Sequence, residues 1–188
     1  MADTPRDEST TQHDLPAIRR AKREDAAGIG RVHARSQHAT YRGIVSPESL
    51  SKVTPEERAR WWTRALTSHD ENWLNLVAEV GGEIVGFSCT GPAGLSEGST
   101  VAAYDLYCLY LAPEWERRGI GARLTSRTFA WLRQRGVVDV QVLCLAATDA
   151  RLFYEAMGGF LVEEAEHEDG GLMLAHRIYR YELLVGDA

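Results

Sequence analysis

Nine consecutive residues, Val137-Val138-Asp139-Val140-Gln141-Val142-Leu143-Cys144-Leu145, are apolar at all but two positions. They show no helical period, so they read as a strand buried on both faces. Such a strand needs cover on both sides, and its flanks supply helices. Before it, Gly119 to Arg135 carries Ile120, Leu124, Trp131 and Leu132 in helical register, and Gly136 ends the helix. After it, Asp149 starts a helix that Gly158-Gly159 stops.

The rest of the chain fits the same layered plan. Ala102–Ala112 reads as a long aromatic strand. Asn72–Val80 and Glu83–Thr90 alternate apolar and polar residues around Gly81-Gly82, the pattern of a hairpin. Residues 91–100 are rich in Gly and Ser and read as a loop. Phe160–Glu166 and Leu172–Leu183 are strands around the turn Glu168-Asp169-Gly170-Gly171. Towards the N-terminus, Ala17–Ala21 is a short strand and Asp25–Thr40 is helical, although Gly28 and Gly30 weaken that helix. Ser46-Pro47-Glu48 opens a short helical turn. Thr54 and Glu57 form a capping-box pattern for a helix to about Thr67, anchored by Trp61, Trp62 and Leu66. The order β-α-α-β-β-β-α-β-α-β-β predicts an α+β domain over residues 17–185, behind a polar tail at 1–16.

A chain of 188 residues with 44 % apolar and 26 % charged residues is an ordinary globular domain. No stretch approaches the ~20 apolar residues of a membrane helix, and the polar N-terminus lacks a signal-peptide run. Cys89, Cys108 and Cys144 form no C-x-x-C pair and read as reduced structural thiols. The expected compartment is the cytoplasm. Nineteen Arg against two Lys point to a GC-rich, bacterial genome. A net charge of −6 argues against a nucleic-acid partner. The charge is unevenly spread: residues 114–136 carry +4 and residues 155–169 carry −6.

The chemistry-bearing segment is Leu109-Tyr110-Leu111-Ala112-Pro113-Glu114-Trp115-Glu116-Arg117-Arg118-Gly119-Ile120-Gly121-Ala122. It passes from a strand through a loop into a helix. Backbone N–H groups at a helix start form an anion site. Gly119 and Gly121 let a phosphate approach the backbone, and Arg117, Arg118 and Arg123 add positive charge. The absence of G-x-x-x-x-G-K-[ST] argues against a P-loop. Leu124, where a third glycine would stand, disfavours a dinucleotide-binding Rossmann unit.

This segment resembles the acyl-CoA-binding motif of the GNAT N-acetyltransferase superfamily, [QR]-x-x-G-x-[GA] after a strand ending L-Y-[VL]-x-P. Glu116 stands where the family prefers Gln or Arg. Ile18-Arg19-Arg20-Ala21 is similar to the family's first strand, and Ala39-Thr40-Tyr41-Arg42-Gly43 to its acceptor-side turn. Ala150-Arg151-Leu152-Phe153-Tyr154-Glu155-Ala156-Met157-Gly158-Gly159 resembles its A-R-x-F-Y-E-x-x-G segment. The blocks follow the family's order over about residues 17–184.

The resemblance implies a mixed seven-stranded sheet, splayed between the fourth and fifth strands, with acetyl-CoA as co-substrate and no metal. The pantetheine arm would pair with the backbone of Leu109 and Leu111, beside Tyr110. The pyrophosphate would meet Arg117, Arg118, Gly119, Ile120, Gly121, Ala122 and Arg123. Ala147 stands where the family often has an Asn that contacts the pantetheine. Tyr154 matches the family's helical tyrosine, which gives a proton to the departing thiolate. Asp105 lies where many relatives carry a glutamate base, and a strand would put Asp105, Tyr107, Leu109 and Leu111 on one face. An aspartate there serves as a base through water, or as a strand-end carboxylate bonded to backbone. Tyr41 and His33, with His38 nearby, are placed on the acceptor side. His33 and His38 lack the i, i+4 spacing of a helical metal pair.

The expected activity is transfer of an acetyl group to a primary amine of a small molecule, by direct attack in a ternary complex. Two alternatives stay open: a catalytically silent acyl-CoA-binding regulator, and a protein N-terminal or lysine acetyltransferase. The acidic run from Glu163 to Asp169 either attracts a cationic acceptor or is a solvated turn. A homodimer, common in the family, is also left open.

Overall fold

The computed structural model describes residues 15–94, 102–169 and 172–183. Most of the expected tail, the loop at 95–101 and the turn residues Gly170-Gly171 lie outside them. The chain runs β1 (Ala17–Arg20), α1 (Ala26–Thr40), α2 (Pro47–Ser51), α3 (Pro55–Ser68), β2 (Leu74–Val80), β3 (Glu83–Pro92) and β4 (Tyr104–Leu111). It continues with α4 (Ile120–Arg133), β5 (Asp139–Leu145), α5 (Ala150–Ala156), β6 (Phe160–Asp169) and β7 (Leu172–Glu182). Thr54 caps α3 by accepting the Glu57 N–H at 3.2 Å.

The strands form a single seven-stranded sheet in the order β1-β2-β3-β4-β5-β7-β6. Only the β4–β5 pair is parallel. Helices α1 and α3 cover one face around Ile29, Val32, Trp62 and Phe87. Helices α4 and α5 cover the other around Leu124, Leu132, Val140 and Tyr154. The hairpin glycines Gly81 and Gly82 take φ of 56° and 83°, as a two-residue turn with two left-handed positions requires.

Gly28 and Gly30 sit inside α1 without ending it. A Cβ on Gly30 would stand 2.6 Å from the Ala59 nitrogen and 2.7 Å from the Pro55 oxygen. The glycine is there because α1 and α3 cross backbone to backbone, and the packing outweighs its poor helix propensity.

Two irregularities of β4 shape the site. The first is a bulge. Cys89 pairs with Cys108 and Thr90 pairs with Leu106, which leaves Tyr107 as an extra residue. The expected common face of Asp105, Tyr107, Leu109 and Leu111 is therefore broken. Leu106, Leu109 and Leu111 face α4, whereas Tyr107, Cys108 and Tyr110 face α1 and α3. The second is a divergence. β4 and β5 share one register pair, Asp105 with Gln141. Just before it, Asp139 closes the junction: Oδ1 accepts the Ala103 N–H at 2.9 Å and Oδ2 accepts from Arg180 at 2.6 Å. Beyond it the strands part towards their C-terminal ends, as the family resemblance implied.

Candidate active site

The glycine loop occupies the open end of β4. After a 3-10 turn at Pro113–Trp115, Arg117 and Gly119 take φ of 55° and 76°, and α4 begins at Ile120. Two left-handed residues in three turn the backbone sharply, and open space surrounds the position of a Cβ on Gly119. No side chain caps α4. The N–H groups of Ile120, Gly121 and Ala122 belong to its first turn, which has no intrahelical acceptors for them. Ile120 is buried and roots the helix start in the core. Gly121 lies against Phe153 and Leu111, with a Cβ position 3.4 Å from the Phe153 ring. Arg117, Arg118 and Arg123 are exposed. The Arg118 guanidinium stacks over Trp115 at 4.7 Å.

Tyr154 is carried by α5, which packs against β5 and β7. It is 7 % exposed and packs edge-on against Phe153 at 5.4 Å. Its backbone oxygen accepts the Tyr181 O–H at 3.1 Å and the Gly159 N–H at 2.9 Å, which holds this turn of α5 on β7. Burial pushes its phenol well above the ordinary value, and Cys144, Tyr181, Tyr110 and Cys108 add to the rise. Cys144 belongs to β5, and Tyr110 and Cys108 belong to β4. The phenol thus senses both arms of the opening and holds its proton more tightly than an ordinary tyrosine.

Asp105 lies at the closed end of the opening, with 0 % exposure. Its Oδ2 accepts the Gly94 N–H at 3.0 Å, at the foot of the β3–β4 connection. Next to it the Tyr107 O–H donates to the Pro92 oxygen at 2.7 Å. Burial, and then Asp105, push the Tyr107 phenol up to about 12.

His33 is brought to β4 rather than to solvent. It is 6 % exposed, stacks on Tyr110 at 4.9 Å, and accepts the Trp62 Nε1–H on Nδ1 at 3.0 Å. With Nδ1 engaged, the neutral ring carries its proton on Nε2 and has no lone pair left for a base. Burial, helped by Arg58, lowers its pKa to about 3. Between pH 6.5 and 3 the unfolded chain therefore binds a proton that the native state refuses, and stability falls as pH falls. In a His33→Gln variant the melting temperature should decline less steeply with pH over that window. An unchanged slope would remove His33 from the acid response.

Tyr41 ends α1, and its N–H donates to the Gln37 oxygen at 2.8 Å. Gly43, at φ 80°, then turns the chain. The acidic stretch is partly paired: Glu164 on β6 accepts from Arg177 on β7 at 2.6 Å, and Glu155 on α5 accepts the Tyr179 O–H at 2.8 Å. Sequence reasoning missed the proximity of Cys108 and Cys144 to Tyr154. It also missed the bidentate Arg35–Glu114 pair, at 3.0 and 2.9 Å, that ties α1 to the glycine loop. Neither leaves a periodic signal, because the partners lie far apart in the chain. Among the described residues no group of three His, Cys, Asp or Glu side chains is placed to hold a metal. No described helix is long and apolar enough to cross a membrane.

Comparison with known proteins agrees with this geometry. A family model described as acetyltransferase (GNAT) domain matches residues 71–158. An uncharacterised N-acetyltransferase of Bacillus subtilis, YuaI, is 29 % identical over 163 residues, covering 85 % of this chain and 89 % of the relative. An uncharacterised N-acetyltransferase of Archaeoglobus fulgidus is 30 % identical over 127 residues, covering 66 % of this chain and 80 % of the relative. The fold is shared with the PaiA N-acetyltransferase of Thermoplasma acidophilum, solved in complex with coenzyme A. The TM-score is 0.66 at 22 % identity, over 89 % of this chain and 98 % of that one. The bulged and splayed β4, the uncapped glycine turn and the sequence relatives together place this chain in the GNAT superfamily of N-acetyltransferases.

Proposed function

We propose that this protein transfers the acetyl group of acetyl-CoA to a primary amine of a small molecule, by direct attack in a ternary complex. The observation that carries the reading is a buried phenol, Tyr154, coupled to residues of both β4 and β5 and next to Phe153, which packs on Gly121 at an uncapped helix start. The residues present fit a CoA. The N–H groups of Ile120, Gly121 and Ala122 would hold the pyrophosphate, with Arg117, Arg118 and Arg123 balancing its charge. The parted backbone at Leu109 to Leu111 has main-chain groups that need partners, and a pantetheine amide supplies them. Acetyl-CoA supplies the activated thioester.

The chain's own groups manage the protons. Tyr154 donates its proton to the departing sulfur. Asp105 is buried and bonded to Gly94, so it acts on the amine through water rather than by contact. Tyr41 and the His33–Tyr110 stack border the acceptor side. The acceptor is an amine whose ammonium loses its proton before attack.

The test is acetyl-CoA consumption by the purified chain over amino acids, polyamines, aminoglycosides and short peptides. Turnover with a small amine is expected. Turnover confined to peptides would replace the acceptor with a protein terminus or lysine. CoA binding without turnover on any acceptor would favour the silent regulator. A failure to bind CoA would end both the enzyme and the regulator readings.

A further inference from the structure

Helix α1 is bordered along part of its length by open space. A groove of about 320 Å³ runs along it, lined by Arg35, His38 and Arg42, by Val53 and Pro55 ahead of α3, and by Pro113. Arg35 and His38, three residues apart, share one side of α1, and Arg42, just past the helix end, lines the same groove. None of the groove's lining residues is acidic. His38 is fixed by a 2.8 Å hydrogen bond to the Val53 oxygen. Arg42 is exposed and forms no ion pair among the described residues. The groove is thus cationic at its rim and apolar along Val53, Pro55 and Pro113.

Arg35 links this groove to the glycine loop. Both of its terminal nitrogens bond Glu114, across two exposed side chains. Glu114 also feels Arg118, whose guanidinium covers Trp115. One carboxylate therefore sits between an arginine of the groove and an arginine of the loop.

We propose that the groove binds a small organic polyanion of the di- or tricarboxylate class, and that its occupancy weakens CoA binding. Arg35 and Arg42 line the same groove, so a ligand that engages both carries its charges on a short carbon skeleton. A carboxylate that accepts from Arg35 displaces Glu114. The released Glu114 turns to Arg118 and withdraws that guanidinium from the CoA phosphates. Only the second half of the proposal rests on the CoA reading above.

Citrate is a suitable probe, with sodium chloride at matched ionic strength as the control. Calorimetry on the full chain should show saturable citrate binding. The Kd for CoA should rise about fivefold, at the low end of typical allosteric couplings, and then level off once the groove is filled. Arg42→Ala should abolish citrate binding without changing the Kd for CoA in citrate-free buffer. Glu114→Gln should keep citrate binding and lose its effect on CoA. A CoA Kd that climbs without limit as citrate increases would mean direct competition at the glycine loop and would overturn the proposal. So would citrate binding that survives Arg42→Ala, or no citrate binding in the wild type. Citrate binding by a chain that binds no CoA would leave the groove standing and remove the enzyme reading.

Discussion

A Tyr154→Phe variant should lose about 100-fold in kcat and keep its Kd for CoA within about twofold; a well-placed general acid contributes some 10²–10⁴-fold. The lower end is expected because a thiol, with a pKa near 8.5, leaves more readily than an amine or alkoxide. The substitution removes one oxygen and keeps the ring that packs on Phe153 and Tyr179. Fold and cofactor affinity should therefore hold, and the loss should fall on the chemical step. The sign of the phenol's shift adds a second reading. Its pKa is raised, so Tyr154 remains protonated in the native enzyme up to at least pH 10. The wild-type rate should show no decline from this group as pH rises to that value. Stopped-turnover assays of both proteins between pH 6 and 10 would check this. A variant with full kcat would take the acid role from Tyr154.

Gly30→Ala should cost about 2 kcal/mol of stability, the middle of the range for overpacking a tight core. Ordinarily the exchange would gain up to about 1 kcal/mol in a helix. Here the new methyl meets Ala59 and Pro55 backbone atoms inside 3 Å, and backbone cannot swing aside as a side chain can. In a chain of this size the melting temperature should drop by about 4–8 °C. Gly28→Ala is the control. Its nearest neighbours are side-chain atoms of Ile84 at 2.8 and 3.1 Å rather than backbone of a second helix, so its loss should be smaller. Thermal unfolding of the two variants side by side gives the comparison. A Gly30→Ala protein as stable as the parent would mean that the two helices sit farther apart than described.

The strands and helices were readable because their signals are local. Alternation marks β2 and β3, a continuous apolar run marks β5, and glycine pairs mark the turns between. The glycine loop was readable for the same reason, since strand, turn and helix start are contiguous. Gly28 and Gly30 weaken the sequence signal of α1 because propensity describes an isolated helix, whereas their close contacts come from Ile84 on β3 and from Pro55 and Ala59 on α3, far along the chain. The bulge was hidden because β4 carries large or aromatic residues on both faces, so Tyr-Asp-Leu-Tyr-Cys-Leu-Tyr-Leu holds no parity to break. The divergence of β4 from β5 was implied by family likeness and by nothing in the residues, because parting two backbones needs no particular side chain. The link from the α1 groove to the glycine loop depends on Arg35 meeting Glu114, seventy-nine positions later.

The extra residue in β4 also sets what lengths this strand can have. With Tyr107 removed, Tyr104, Leu106, Leu109 and Leu111 would still alternate with Asp105, Cys108 and Tyr110, and every side chain would keep its present side. Straightening the strand at its present length would instead send Leu109 and Leu111 to the wrong layer. The segment can thus be one residue shorter, but it cannot be regular at eight. In this strand the count of residues between the closed and open ends is a stricter requirement than their identity, and natural or engineered length variants should cluster at that single spare position.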